Sequence, residues 1–509
     1  MNKYKYIICV ILFLVIASQT AFSNNVDSLL IISSEKNSLS HLPVNFLSLN
    51  PIFKHIDTRP FNTSLFLGTN LRGMKKPVVY THGQDLKSIN LAVNSRKKLK
   101  SLNVWGNADY KRSNINNIKW NAVSDRGFIY PYSIAHTSPV KNYLERYQFN
   151  GGFGKTIKSI DIALEGKYIA QYEYGKNDPR SLNKLYDIEI KTGIAKRILN
   201  SKLAISLRYN NYRQRVNLRS VTEDRTDMIF LLKGFGQQHE KLSERTASYA
   251  VSYKASIINI GVQHIPTKTE GIYWSFNYQS KSLEQNHRNK LTPFLLKQTN
   301  INSILGYKRT LNKGLLYSFF DFEYTQKTGT EVTFNLVAVH KDPILYDWKK
   351  LSEAQRYSFK RYTSAINIQY EYIFSKQKTM CTHLRSEFTN NNESFVGPVL
   401  YTKYNQLNNS LHINYTQIFN HYMLSIYSNV AVVNTVSKNN KWLKNTDTEK
   451  AYTHDQDYFA ADKYRFKIGI TNTFPVSDQL LMFVDTNFKY EHNNIEPIKW
   501  ANIRVGIIF

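Results

Sequence analysis

Cysteine is almost missing from this chain: 509 residues carry two, Cys9 and Cys381. Cys9 lies in the amino-terminal apolar run, so one thiol remains after that run and no intramolecular disulfide can form. Small secreted domains lean on disulfides; a chain of this length can bury enough surface without them. Long apolar runs are also scarce. After the amino terminus no stretch approaches the roughly 20 apolar residues that a spanning helix needs. Acidic side chains are in short supply as well, with 38 Asp and Glu against 67 Lys and Arg. No phosphate loop, G-x-S-x-G, H-E-x-x-H or paired-cysteine motif occurs, so the commonest nucleotide, hydrolase and zinc signatures are excluded. The chemistry points away from an enzyme.

What is present begins with an address. MNKYKYIICVILFLVIASQTAFS opens on Lys3 and Lys5, continues through the apolar Ile7 to Ala17, and closes on Ala21-Phe22-Ser23. These are the three parts of a secretory signal peptide, which sets residues 1–23 apart and starts the mature chain at Asn24. The formal charge of +29 becomes +27 once Lys3 and Lys5 leave. Such an excess suits nucleic acid, an anionic membrane surface or an anion-attracting channel. Export excludes nucleic acid.

The recurring pattern is period-two alternation over about ten residues, as in membrane-spanning β-strands. In 158–174, Ile160, Ile162, Leu164, Tyr168, Tyr172 and Tyr174 oppose Asp161, Glu165, Lys167, Gln171 and Glu173. Residues 361–374, 463–471 and 480–490 alternate in the same way. Mean hydropathy is only -0.43, yet the chain ends on ANIRVGIIF. There Ala501, Ile503, Val505, Ile507 and Phe509 share one face. Backbone groups in lipid must all be paired, so strands span only as a closed barrel.

Connections are expected to alternate in length. Short ones fall at 310–314, 375–379, 419–422 and 475–479; long ones fall near 113–141, 219–245, 329–360 and 435–462. With 35 Tyr and 28 Phe there is material for two aromatic girdles. The expected fold is an all-β, transmembrane antiparallel barrel over 61–509. It has roughly 18 strands, with 16 as the alternative. Long loops are extracellular, short turns are periplasmic, and the membrane is the outer membrane of a Gram-negative cell. Residues 24–60 form a periplasmic tail or a piece entering the lumen. The closing row Val505, Ile507 and Phe509 resembles the carboxy-terminal signal read by the barrel-assembly machinery.

Residues 104–180 resemble the Bacteroidetes-type outer-membrane β-barrel proteins of unknown function. The match rests on Val104-Trp105-Gly106, Tyr110, Trp120, Asp125 and Tyr130-Pro131-Tyr132. Tyr147, Phe149, Gly151-Gly152 and Asp178-Pro179-Arg180 follow in order. Asn50-Pro51 looks like an NPA-type opening in which Ile52 replaces the Ala. The resemblance implies fold and location and no substrate. Read physically, Gly151-Gly152 suggests a bend or bulge, and Tyr130-Pro131-Tyr132 suggests turn chemistry in an external loop.

On the lumen face, Lys463, Arg465, Lys467, Lys489 and Arg504 gather on the last three strands, with Asp485 as a partner. Rings of Lys and Arg favour anions in pores, and 16–18 strands leave an aqueous channel unless plugged. The competing expectation is a salt-bridged, packed lumen, since Asp161, Glu165, Asp321, Glu323 and Glu371 point the same way. Rim cations would also suit lipopolysaccharide phosphates.

No metal or cofactor is expected. Asp447, Glu449, Asp455 and Asp457 are weak Ca²⁺ candidates, lacking the glycine turn and terminal bidentate Glu of an EF-hand. With His454 and Asp462 they read as a solvated loop; a barrel-tip hydrolase built on His454 and its neighbouring Asp residues is a remote reading. The function expected is a porin-like or accessory channel in nutrient uptake. A second reading is a non-conducting barrel whose long loops, with Trp348 and Trp442, bind a surface lipoprotein, receptor, glycan or host ligand.

Overall fold

The computed structural model describes residues 49–57, 62–221, 227–267, 270–287, 291–341, 344–477 and 480–509. The signal-peptide reading and residues 24–48 lie outside the described residues. A nine-residue piece, Leu49 to Asp57, carries the short helix α1 (Ile52–Ile56). Eighteen strands follow. They are β1 (Thr63–Gly73), β2 (Leu86–Leu99), β3 (Leu102–Ile118), β4 (Val140–Ile157), β5 (Ile160–Gly175) and β6 (Arg180–Ile198). Next come β7 (Ser201–Arg219), β8 (Ser248–Pro266), β9 (Gly271–Asn286), β10 (Phe294–Leu311), β11 (Gly314–Lys341) and β12 (Ile344–Ser375). The last six are β13 (Lys378–Phe395), β14 (Leu400–Ile418), β15 (Met423–Lys441), β16 (Lys463–Ser477), β17 (Leu480–Asn493) and β18 (Ile498–Ile508).

Each strand pairs antiparallel with the next, and β18 returns to β1. The seam runs from Ser64↔Ile508 to Gly73↔Lys499, and Thr63 N–H donates to the Phe509 carbonyl at 2.7 Å. The expected all-β, 18-strand transmembrane barrel is what forms. Closure removes every sheet edge, as lipid requires.

Side chains alternate as the sequence predicts. On β5 and β6, Ile160, Ile162, Leu164, Tyr168, Ile188, Ile190 and Ile194 lie exposed on the outer face, while Asp161, Glu165, Glu173 and Glu189 are buried inside. An apolar band of this size marks a surface that meets lipid or another protein rather than water.

Connections at one end hold two to four residues, such as 199–200, 312–313 and 419–422. At the other end lie 74–85, 119–139, 220–247 and 442–462. Of the expected 475–479 turn, residues 478 and 479 lie outside the described residues.

Two expectations fail here. The segment 329–360 is not a loop: β11 and β12, with 28 and 32 residues, carry on as a paired hairpin. About ten residues cross a bilayer, so these strands project well past it. Gly151-Gly152 makes no bulge either, since β3, β4 and β5 keep unbroken register through both residues. Gly152 is small because a Cβ there would lie 2.7 Å from the Trp105 ring and 2.6 Å from the Leu164 carbonyl.

Candidate functional site

The long-loop segments fold into the barrel mouth and build a lid. Segment 119–139 carries a single helical turn, α2 (Arg126–Ile129). Segment 442–462 carries α3 (Asp447–Phe459), whose capping box joins the Thr446 side chain to Glu449. Ile134–Ala135, Asp227–Leu231 and Glu244–Thr246 form a small three-stranded sheet across the mouth. Around it Tyr132, Ile134, Leu231, Phe235, Tyr357 and Tyr452 make one apolar core with lumen-facing residues of the wall. Tyr132 stacks on Phe294 with ring centres 4.2 Å apart. A turn motif expected on an outer loop is therefore core. Each large side chain so buried contributes about 1.5–3 kcal/mol.

Helix α3 is the lid's hub, and its acids are the fasteners. Asp455 accepts from Tyr80 N–H at 2.8 Å and from the Thr81 hydroxyl at 2.8 Å, and Arg126 lies 3.6 Å away. Glu449 accepts from the Gln237 amide at 2.6 Å. Segments 74–85, 119–139 and 220–247 are thus all tied to α3. The wall holds the lid through Glu393 of β13, which accepts from the Tyr130 hydroxyl at 2.5 Å and the Tyr452 hydroxyl at 3.2 Å. Burial, with the Glu393 carboxyl beside them, pushes both hydroxyls well above the ordinary tyrosine range. Burial likewise raises the Asp125 carboxyl and lowers His136 and His239 to about 4.

At the short-turn end, Asn50 to Asp57 sits inside the lumen. Ile52 and Phe53 pack on Ala163, Ala195, Ala204, Ile265 and Ile304. The Asn50 amide donates to Gln263 at 3.0 Å, and Lys54 reaches Glu165 at 2.5 Å. Trp105 donates to the same Glu165 oxygen at 2.7 Å, and Arg96 pairs with Asp57 at 3.1 Å. Small wall residues make the berth: a Cβ on Gly193 would land on the Asn50 amide oxygen.

Between lid and α1 the described residues leave open space along β16–β18 and β1–β6. One chamber of about 560 Å³ is lined by Lys54, Arg96, Trp105, Glu165, Lys167 and Lys191. A second, of about 530 Å³, is lined by Asn70, Asn90, Lys467, Asn487, Lys489 and Arg504 among others.

The five basic residues expected on the lumen face meet different fates. Arg504 makes a double contact with Asp485 Oδ2 at 2.7 and 2.9 Å, and Asp485 also accepts from Thr471 at 2.8 Å. Arg465 bonds Glu491 at 2.7 Å. Lys463 donates to the Phe459 and Ala461 carbonyls at the end of α3. Lys467 and Lys489 line the second chamber, and among the described residues neither forms an ion pair within 4 Å.

The acids weighed for Ca²⁺ do not converge. Asp447 faces Lys450, Asp457 pairs with Lys438 at 2.8 Å, and Glu449 and Asp455 are the fasteners above. No three His, Cys, Asp or Glu side chains cluster among the described residues. The segment is helical rather than a solvated loop; the T-x-x-E signature of Thr446 and Glu449 announces it. His454 stacks on Tyr80 at 3.8 Å, and Asp462 accepts from Thr435 N–H at 2.6 Å. Trp442 is partly buried against the lid, while Trp348 lies on β12.

Several solved structures are similar to this chain at low identity. The ferric preacinetobactin receptor BauA of Acinetobacter baumannii is 7% identical, with 88% of this chain and 80% of that chain covered, at a TM-score of 0.39. The siderophore receptor PiuA of the same organism is 6% identical over 87% and 82%, at 0.41. The ferric yersiniabactin uptake receptor FyuA of Yersinia pestis is 8% identical over 88% and 80%, at 0.37. No curated protein matches the sequence. A family model described only as a family of unknown function, DUF6850, matches residues 56–509, the whole barrel, and the chain belongs to that family.

Proposed function

We propose that this protein resides in a Gram-negative outer membrane and serves nutrient uptake as a porin-like or accessory conduit with a basic lumen. The short-turn end faces the periplasm in this reading, and the lid closes the cell surface. One observation carries it. Among the described residues the lumen is not packed solid: chambers of about 560 and 530 Å³ lie between lid and α1. A purely structural barrel has no use for such space, whereas a conduit does once its lid is displaced. The lid is held by hydrogen bonds and by a shared apolar core, and neither belongs to the strand ladder of the wall.

The partners follow from the same reading: outer-membrane lipid and lipopolysaccharide around the wall, and the barrel-assembly machinery at Val505, Ile507 and Phe509. A surface lipoprotein or receptor that moves the lid completes the set. Recording single channels of the refolded protein under a salt gradient tests the proposal. We expect small, intermittent current from the intact chain and steady, anion-selective current once residues 446–460 are removed. A folded, heat-modifiable barrel that passes no current in either form sinks the conduit reading. The projecting β11–β12 hairpin favours a second reading, a surface barrel that binds a partner protein without conducting.

A further inference from the structure

We propose that the lumen wall around Lys467 and Lys489 is a binding site for a small hydroxylated organic anion. The two lysines are directly opposed on neighbouring strands, Lys467 of β16 against Lys489 of β17. Like charges in that position destabilise a sheet. Many other cations in this lumen are matched with acids: Lys202 with Asp161, Arg385 with Asp321 and Glu387, Arg361 with Glu323, Arg465 with Glu491. The nearest acids are already engaged, Asp485 by Arg504 and Thr471, and Glu491 by Arg465 and Tyr458. Each lysine instead lies over an aromatic ring, Lys467 5.1 Å from Tyr427 and Lys489 4.1 Å from Trp500. These rings orient both ammonium groups and leave their charge uncancelled.

Beside the lysines runs a row of amides. Asn487 is opposite Asn502, and Asn502 is opposite Asn70, so three lumen-facing asparagines cross β17, β18 and β1 in register. Their side chains bond along the row, Asn487 to Asn502 at 3.5 Å and Asn502 to Asn70. Each keeps donor or acceptor capacity toward the chamber. Arg504, one register step away and half exposed, adds donors that Asp485 does not use. Two ammonium groups suit a phosphate or carboxylate, and an amide row suits hydroxyls. About 530 Å³ suits a molecule the size of a charged monosaccharide.

The test is equilibrium binding to the full chain, refolded in detergent. Glucose 6-phosphate and glucuronate are the probes; glucose and inorganic phosphate are the comparisons. Each titration is run on the wild type and on Glu393→Ala, so that a closed lid does not hide the site. We expect both organic anions to bind saturably and glucose not to. Lys467→Gln with Lys489→Gln should weaken binding at least about tenfold while the barrel stays heat-modifiable. Absence of saturable binding in both chains, or full binding by the double variant, overturns the site. Inorganic phosphate binding as tightly as glucose 6-phosphate overturns the assignment of a hydroxylated ligand. The site takes its purpose from the uptake reading, but the two fail separately: binding without current removes the conduit, and current without binding removes the site.

Discussion

Glu393 and Tyr130 stand 263 residues apart in sequence and 2.5 Å apart in the barrel mouth. The carboxylate belongs to the wall and the phenol to the lid, so this hydrogen bond is one of the joints on which closure depends. Removing the acceptor by Glu393→Ala leaves the buried hydroxyls of Tyr130 and Tyr452 without it, a local cost of about 1–3 kcal/mol for each unmade bond. The wall's ladder is untouched. Proteolysis and hydrogen exchange in 119–139 and 446–460 should therefore rise by about tenfold or more while the heat-modifiable shift on gels stays the same. Unchanged protection in both segments would show that the apolar core holds the lid alone.

The cap of α3 gives a milder perturbation. Thr446→Ala removes the acceptor for Glu449 N–H, a change that costs about 1 kcal/mol at helix N-caps. Because α3 anchors three other segments, exchange should quicken in 74–85 and 220–247 as well as in the helix. Faster exchange confined to 446–459 would mean that α3 is not the hub.

Acid should loosen the same lid. His82, His136 and His239 lie in three lid segments, and burial lowers all three below the ordinary histidine value, His136 and His239 to about 4. Asp227 faces His136; Asp455, Arg126 and Arg72 face His82; Lys233, Glu240 and Lys241 face His239. Between about 4 and 6.5 the unfolded lid binds more protons than the folded one, so closure weakens as pH falls through that window. Hydrogen exchange at pH 7 and pH 5 should show the difference, reduced by His136→Phe. Equal protection at both values would contradict it.

Strand count, seam and facing were legible because lipid leaves one solution for each: paired backbone, closed sheet, apolar side out. Ile160 to Tyr174 could alternate only one way. The lid was not legible, since its partners lie hundreds of residues away and its loops obey no period. Tyr132 reads as a turn residue locally and becomes core through Phe294. Asp455 reads as a metal candidate beside His454 and becomes a fastener through Tyr80 and Thr81. The five lumen cations were visible as a stripe, but which were matched depended on register: one step separates Arg465, which meets Glu491, from Lys467, which meets Lys489. Helix α3 alone left a usable local mark, the Thr446 and Glu449 spacing.

The berth of α1 can be closed from the wall side. In Gly193→Ala the new methyl would collide with the Asn50 amide, and in Gly154→Ala it would collide with the His55 ring. Neither glycine has a left-handed backbone, so the strand itself tolerates alanine. The double substitution should expel residues 49–57 from the lumen while the barrel still folds. An Asn50→Cys probe, in a chain with Cys381→Ser, should then react with a soluble maleimide at least about tenfold faster, because fully buried groups react only through local opening. Equal reaction rates with and without the alanines would mean that α1 sits elsewhere in solution.

Asp485 sets how much positive charge the second chamber presents. It neutralises Arg504 and lies two register steps from the Lys467 and Lys489 pair, with Asn487 between. Asp485→Asn keeps the shape and an acceptor for Thr471 but removes the negative charge, leaving three cations on one patch of wall. In a lid-released chain this should move the reversal potential further toward the anion limit, and Arg504→Gln should move it back. The shifts should shrink at 1 M salt, where the screening length falls to about 3 Å. Two variants of opposite sign on one ion pair separate charge from geometry: a merely disturbed wall would shift both the same way. Parallel shifts, or none, would place the conducting path away from this chamber and take the basic lumen out of the mechanism.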